Sequence, residues 1–269
     1  MTFPRYMHAL RNLNRLPEVA KCVMRMADWD ALLKAYLRLG AAQYPIAFHT
    51  RSGLRAQVED FDEVITAWVV FCRDEYLVPP DAKLIVDCGA NYGAFSLMAA
   101  SAAPFSRIIS LEPFPETFEK LRANVEANGL GGRINCRQDA VDRVTGWSWM
   151  NASPKIKSHL RHLEDDRNGT DGIRVATVAL TELIDQVCFE FGVRSIDLVK
   201  LDVEGAEYRI LTDAKCCLEK VKALQMEYHG VAPKGILFSA MDEQGFICQS
   251  DRVPRRHAPD HGVAHFVRR

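Results

Sequence analysis

The feature that most constrains this chain is a recurring unit in which a short, mostly apolar run gives way to a stretch of helix length. "LIVDC" (84–88), "RIISL" (107–111), "IDLVKL" (196–201) and "ALQMEY" (223–228) are such runs. A strand that is apolar on both sides has no face to give to water, so it belongs in a largely parallel sheet covered by helices on each side. The units read as strand 84–87 with helix 93–103, strand 107–111 with helix 115–128, and strand 133–138 with a second strand near Trp147–Met150. Strand 173–178 with helix 181–191, strand 196–201 with a short helix 205–213, and strand 223–228 with helix 234–244 follow. The closing strands, near 246–250 and 263–267, have no helix between them, so the last is expected to enter antiparallel. The fold class is α/β.

Ahead of these units the period differs. Residues 5–40 read as two helices, with Val19, Cys22, Val23 and Met26 on one face and Leu32, Leu33, Tyr36 and Leu37 on another, stopped by Gly40. "YPIAFHTRSGLRAQV" reads as a hairpin turned at Ser52-Gly53, and "DFDEVITAWVVFCRDEYL" as a helix that ends before Pro79-Pro80. The organisation expected is an extension over 1–80, packed on a core domain over 81–269. Within that domain the polar stretch "NASPKIKSHLRHLEDDRNGTDG" is too long for a routine connection and is expected to form a flexible insertion or lid over 151–172.

Bulk properties exclude several classes. A net charge of −1 argues against a nucleic-acid-coating surface, and no apolar window reaches the roughly 20 residues of a membrane span. The first residues lack the apolar run of a secretory signal. Eight cysteines without CxxC spacing read as reduced thiols of a cytoplasmic protein.

The chemistry starts at the turn after the first core strand, Asp87-Cys88-Gly89-Ala90-Asn91-Tyr92-Gly93. A helix N-terminus there presents unpaired N–H groups and the positive end of a dipole. A dinucleotide site calls for G-x-G-x-x-G, whereas this turn has G-x-N-x-G, and three residues past Gly93 comes Ser96 rather than a further glycine. Asp87 would repel a diphosphate. It suits a ligand that offers ammonium or hydroxyl donors, such as the methionine part of S-adenosylmethionine. Glu112 ends the next strand, 23 residues after Gly89, where an acid accepts ribose hydroxyls, and Asp139-Ala140 follows the third strand near an adenine edge. Three acids at three strand ends together describe a nucleoside site.

In this order, "LIVDCGANYGAFSL", "ISLEPFPETFEKLRANVEANGL", "VATVALTELI", "IDLVKLDVEGAEYRIL" and "LQMEYHG" resemble the FkbM family of S-adenosylmethionine-dependent methyltransferases, over about residues 44–250. The resemblance implies a class I methyltransferase Rossmann-like sheet of seven strands, mostly parallel with the last antiparallel. It implies S-adenosyl-L-methionine contacts at Asp87, Gly89, Asn91, Gly93, Glu112 and Asp139, with Ala90, Pro113, Ala140 and Asp202 beside them. It also implies a small-molecule acceptor, a sugar or natural-product hydroxyl. The N-terminal helices and the 151–172 insertion depart from its compact forms.

Methyl transfer to a hydroxyl needs alignment and a proton acceptor. "KLDVEGAEYRI" supplies Asp202, Glu204 and Glu207, the last two one helical turn apart, and the next strand ends in Glu227-Tyr228-His229. Asp202, Glu204, Glu207 and His229 are the catalytic candidates, with His229 or one carboxylate as general base. First-turn acids also cap helices, so Glu207 carries that reading equally. Asp202, Glu204, Glu227 and His229 offer a divalent-cation set as an alternative, although the resemblance requires no metal. His257, His261 and His265 recur every four residues, but Pro259 and Gly262 prevent one helical face. His159 and His162 stand in the insertion with Lys155, Lys157 and Arg161. N-methylation, a carrier-bound acceptor, a nicotinamide-dependent oxidoreductase and a non-catalytic cofactor-binding module stay open as alternatives. The N-terminal helices serve either to cover the pocket or to join a homodimer; their pattern decides neither.

Overall fold

The computed structural model describes residues 15–152, 163–164, 172–253 and 260–269. Most of the insertion expected over 151–172, with its histidines, lysines and arginine, lies outside the described residues, as do His257 and the start of the first expected helix.

The chain divides into two compact units at Glu75/Tyr76. In the first, helices Leu16–Arg25 and Trp29–Tyr36 precede the hairpin β1 (Ile46–His49) and β2 (Arg55–Val58), followed by helix Phe61–Cys72. Asp60 caps the last helix by accepting from the Glu63 N–H, the interaction a side-chain oxygen makes at an N-cap. Cys22, Met26, Leu32, Phe48, Val64 and Trp68 fill its core, and the Tyr36 and Trp68 rings stack at 4.0 Å.

The second unit carries β3 (Leu84–Cys88), β4 (Arg107–Leu111), β5 (Ile134–Arg137), β6 (Ala140–Asp142), β7 (Gly146–Asn151), β8 (Leu163–Glu164), β9 (Gly172–Ala179), β10 (Leu198–Leu201), β11 (Ala223–His229), β12 (Phe246–Arg252) and β13 (His261–Arg268). Its main sheet has seven strands in the order β12-β13-β11-β10-β3-β4-β5. β10, β11, β3, β4 and β5 run parallel, while β13 lies between β11 and β12 and is antiparallel to both. The fold is the mostly parallel seven-stranded α/β sheet that the resemblance implies, with the last strand reversed as its missing crossover helix requires. One face of the sheet packs Val86, Ile109, Val199 and Leu224 against Leu183, Ile184 and Val187 of helix Leu180–Phe191 and Leu237 and Met241 of helix Lys234–Glu243.

The strands expected near Trp147–Met150 and over 173–178 do not join this sheet. With β6 and β8 they form a separate four-stranded sheet, order β6-β9-β7-β8. The reason is visible along β7, where Gly146 and Trp147 are exposed and only Met150 is buried, so that strand has one face to cover rather than two.

Strand order fixes where a ligand can go. From β3 the chain steps to β4 and β5 on one side, then returns to place β10 on the other side of β3. The reversal opens a crevice beyond the carboxyl ends of β3 and β10, the position at which doubly wound sheets take ligands. The segments beginning at Asp87 and Asp202 emerge at that point.

Candidate functional site

The turn after β3 is built by left-handed residues. Gly89 has φ +76°, and a Cβ there would fall 1.8 Å from the Asp202 carbonyl oxygen, so only glycine lets the turn lie against the end of β10. Asn91 has φ +51°, which asparagine tolerates, and its Oδ1 accepts the Tyr92 N–H at 2.8 Å. Gly93, at φ +94°, precedes helix Ala94–Ala102 with Leu121 against it.

The N–H groups of the turn itself, residues 89–93, are spent inside the protein. Gly89 and Ala90 donate to the Leu111 carbonyl at 3.0 and 2.8 Å, and Gly93 donates to the Ala90 carbonyl at 2.9 Å. Asn91 donates to Glu112 Oε2 at 3.0 Å. The turn therefore offers no cradle of amides to a phosphate.

Glu112, just past β4, is buried, and its other oxygen accepts the Phe114 N–H at 3.0 Å. Burial pushes its pKa up to about 7 against the pull of these two amides. Each carboxylate oxygen still has a lone pair to give a hydroxyl. Pro113 is half-buried beside it, Asp139 is half-buried between β5 and β6, and the buried Ala140 begins β6.

Asp87 corrects the sequence reading that it stands free for a cofactor. It is fully buried, takes a 2.6 Å hydrogen bond from Ser96 Oγ, and pairs with the ammonium of Lys200 at 3.2 Å. Lys200 is the next strand's residue at the same register position, so the two side chains meet across β3 and β10. Its Nζ donates to the Gly89 carbonyl at 2.9 Å and lies 3.2 Å from Asp202 Oδ2. Burial works against the charge of Lys200, but Asp202 and Asp87 outweigh it and hold the pKa above the ordinary lysine value. The sequence reading missed Lys200; its signal was a lysine inside an otherwise apolar strand, which requires buried counter-ions.

Beyond β10 the chain turns through Glu204 at φ +52° and Gly205 at φ +97°, and the short helix Glu207–Leu211 begins. Glu207 is 1% exposed. Its Oε1 accepts the Val203 N–H at 2.8 Å and faces His229 Nδ1 at 3.1 Å, and its Oε2 accepts the Gly205 N–H at 3.0 Å. It is thus both a helix cap and the partner of His229, and it does not share an open face with Glu204. His229 Nε2 lies 3.4 Å from Glu204 Oε2, 3.7 Å from Asp202 Oδ1 and 4.0 Å from Glu227 Oε1. Tyr76 donates to the other oxygen of Glu227 at 2.7 Å.

This gathering sets the charge states. Burial disfavours the His229 cation, yet Glu207, Asp202 and Glu204 reverse that and raise its pKa to about 10. His229 therefore carries its proton at neutral pH, which removes it as the general base in this state. Burial and then the Asp202 charge push both Glu204 and Glu227 upward from the carboxylate range.

Asp202, Glu207 and His229 each offer one ligand atom within 4.8 Å of the others. Glu207 is already committed to two backbone N–H groups and the imidazole, so this trio is better satisfied as an ion-pair network than as a metal centre. His261 is exposed at the start of β13, its ring 6.3 Å from that of His229, while His265 is buried further along the strand. Four residues of strand separate those two histidines by roughly 13 Å, too far to share an ion. A groove of about 640 Å³ lies elsewhere, beside β5, lined by Arg107, Phe118, Arg122 and Phe191 among others, and none of the candidate residues lines it.

The fold and crevice define an α/β domain of methyltransferase topology with an acidic, amide-poor ligand site at its switch point. Residues 87–248 match the model of the methyltransferase FkbM domain, and the chain belongs to that family. It is 29% identical over 190 residues to the AMB antimetabolite synthetase AmbE of Pseudomonas aeruginosa, a match covering 60% of this chain and 9% of that protein. It is 27% identical over 165 residues to the 2-O-methyltransferase NoeI of Sinorhizobium fredii, covering 56% and 65% respectively. It is 26% identical over 229 residues to the hexuronic acid methyltransferase AglP of Haloferax volcanii, covering 81% and 87%. No described helix is long and apolar enough to cross a membrane.

Proposed function

We propose that this chain transfers the methyl group of S-adenosyl-L-methionine to a hydroxyl of a small molecule, a sugar or a natural-product intermediate. The observation that carries the reading is the turn at 89–93. It spends its own N–H groups internally at a crevice otherwise walled by carboxylates, an arrangement hostile to a pyrophosphate and suited to a positively charged nucleoside. The names borne by NoeI and AglP support the hydroxyl and sugar assignments.

When bound, the cofactor supplies a methyl group on a cationic sulfur. Glu112 is placed to accept from the ribose hydroxyls, with Pro113, Asp139 and Ala140 along the adenine side. Asp202 stands at the junction of the cofactor and acceptor sides. Glu204, pushed above the carboxylate range by burial and the Asp202 charge, holds its own proton at neutral pH and takes the hydroxyl proton only in its ionised form, so turnover is expected to rise with pH. His229, charged and held by Glu207, keeps Asp202 and Glu204 gathered at one point.

Calorimetry with S-adenosylhomocysteine and with NADH tests the cofactor, and transfer of labelled methyl to a panel of sugars and hydroxylated natural products tests the acceptor. Binding of NADH without S-adenosylhomocysteine overturns the cofactor reading. Wild-type turnover by Glu204→Gln and His229→Ala overturns the acceptor site.

A further inference from the structure

Lys200 takes no part in the proposed transfer, yet it is a more enclosed cation than His229 at the crevice. Its side chain is 4% exposed, its ammonium faces the rings of Tyr76 and Phe95 at 5.7 and 5.8 Å, and its three polar neighbours come from three places: Asp87 on β3, the Gly89 carbonyl of the turn, and Asp202 past β10. An ammonium has three donors, and here each has an acceptor in reach.

The ionisable groups at this sheet end are lopsided. Among the described residues there, Asp87, Glu112, Asp202, Glu204, Glu207 and Glu227 are carboxyls, and Lys200 and His229 are the cations. We propose that Lys200, bridging Asp87, Gly89 and Asp202, is a positioning residue that limits how strongly the crevice favours the cationic sulfonium cofactor over the neutral thioether product. The inference rests on the cofactor reading above. Methyl transfer moves the group from sulfur to the acceptor oxygen, the S–C electron pair stays on sulfur, and the hydroxyl proton goes to the protein. One positive charge thus leaves the sulfur. A crevice of uncompensated carboxylates would hold the substrate form tightly and make it slow to react to a neutral state. Lys200 cancels part of that field while fixing Asp202 Oδ2 and leaving Oδ1 toward His229.

The test compares dissociation constants for S-adenosylmethionine and S-adenosylhomocysteine by calorimetry at pH 8.5 in the full chain. In Lys200→Gln, which keeps an amide donor but no charge, the preference for the sulfonium is expected to rise roughly tenfold, the size of a unit charge acting at a partly screened distance. Lys200→Arg keeps the wild-type ratio, and adding Asp87→Asn to Lys200→Gln restores it. If Lys200→Gln weakens both ligands by the same factor, Lys200 is structural only and the proposal fails. If the wild-type chain binds neither ligand, the cofactor reading fails first and takes this inference with it.

Discussion

Replacing Glu207 with glutamine tests the claim that this buried carboxylate holds the acceptor side together. The carboxylate accepts from Val203 N–H and Gly205 N–H and faces His229 Nδ1, all within 3.1 Å and almost without solvent. Glutamine keeps one carbonyl oxygen and points an NH₂ group at one of the two backbone donors. A buried N–H left unpaired costs about 1–3 kcal/mol, and loss of the charged partner of the imidazolium removes a further ~1.5–3 kcal/mol. The variant should therefore lose about 2.5–6 kcal/mol of stability, a large part of the 5–15 kcal/mol a domain usually has. Urea unfolding reads that loss. NMR titration of the His229 ring reads the other half: its pKa, about 10 in the native chain, should fall markedly once its nearest charge is gone. An unfolding midpoint within about 1 kcal/mol of wild type, together with an unmoved His229 titration, would falsify the hub role of Glu207.

Other outcomes follow from the same geometry. Gly89→Ala should cost at least about 3 kcal/mol, from the left-handed backbone and the displacement of Asp202, and should abolish S-adenosylhomocysteine binding measured by calorimetry. Asn91→Gly should lose about 1 kcal/mol in thermal unfolding, from the Tyr92 N–H left without Asn91 Oδ1, and Asn91→Val should lose about 1–3 kcal/mol more, because a β-branched residue also resists φ +51°. Stability without ligand should fall as pH rises. The raised pKa of His229 gives stability that is complete below its unfolded value near 6.5 and lost through about 10, and the raised Glu112, Glu204 and Glu227 act in the same sense because the native chain holds their protons longer. Urea midpoints at pH 6, 8 and 9.5 that rise instead of falling would contradict this charge assignment.

The fold was legible because its strands are apolar on both sides. Runs such as Leu84–Cys88 and Leu198–Leu201 admit one environment, and the missing helix before β13 dictated its reversed direction. β7 was legible as a strand but not as part of a second sheet. Its pairing with β9 depends on which face of Trp149 and Met150 meets which neighbour, and residue type does not encode that. At the site, the sequence placed the acids at the strand ends, and the structure brings Asp202, Glu204 and Glu227 within 4.0 Å of His229 Nε2.

What the sequence could not show was how those charges are divided. Asp87 looked available because its partner stands 113 residues away, at a register position that only the folded sheet brings beside it. Once Lys200 faces it, the carboxylate ceases to be a direct ligand group and becomes part of a fixed background field, shared with Asp202 and anchored on the Gly89 carbonyl. His229 changes role for the same reason. An isolated histidine at a strand end reads as a base, whereas one held by Glu207 and faced by three further carboxylates is a cation at neutral pH. On the proposed reading the base is then a carboxylate, and Glu204, which its left-handed turn sets 3.4 Å from that cation, serves only in its ionised form because burial and the Asp202 charge hold its proton on.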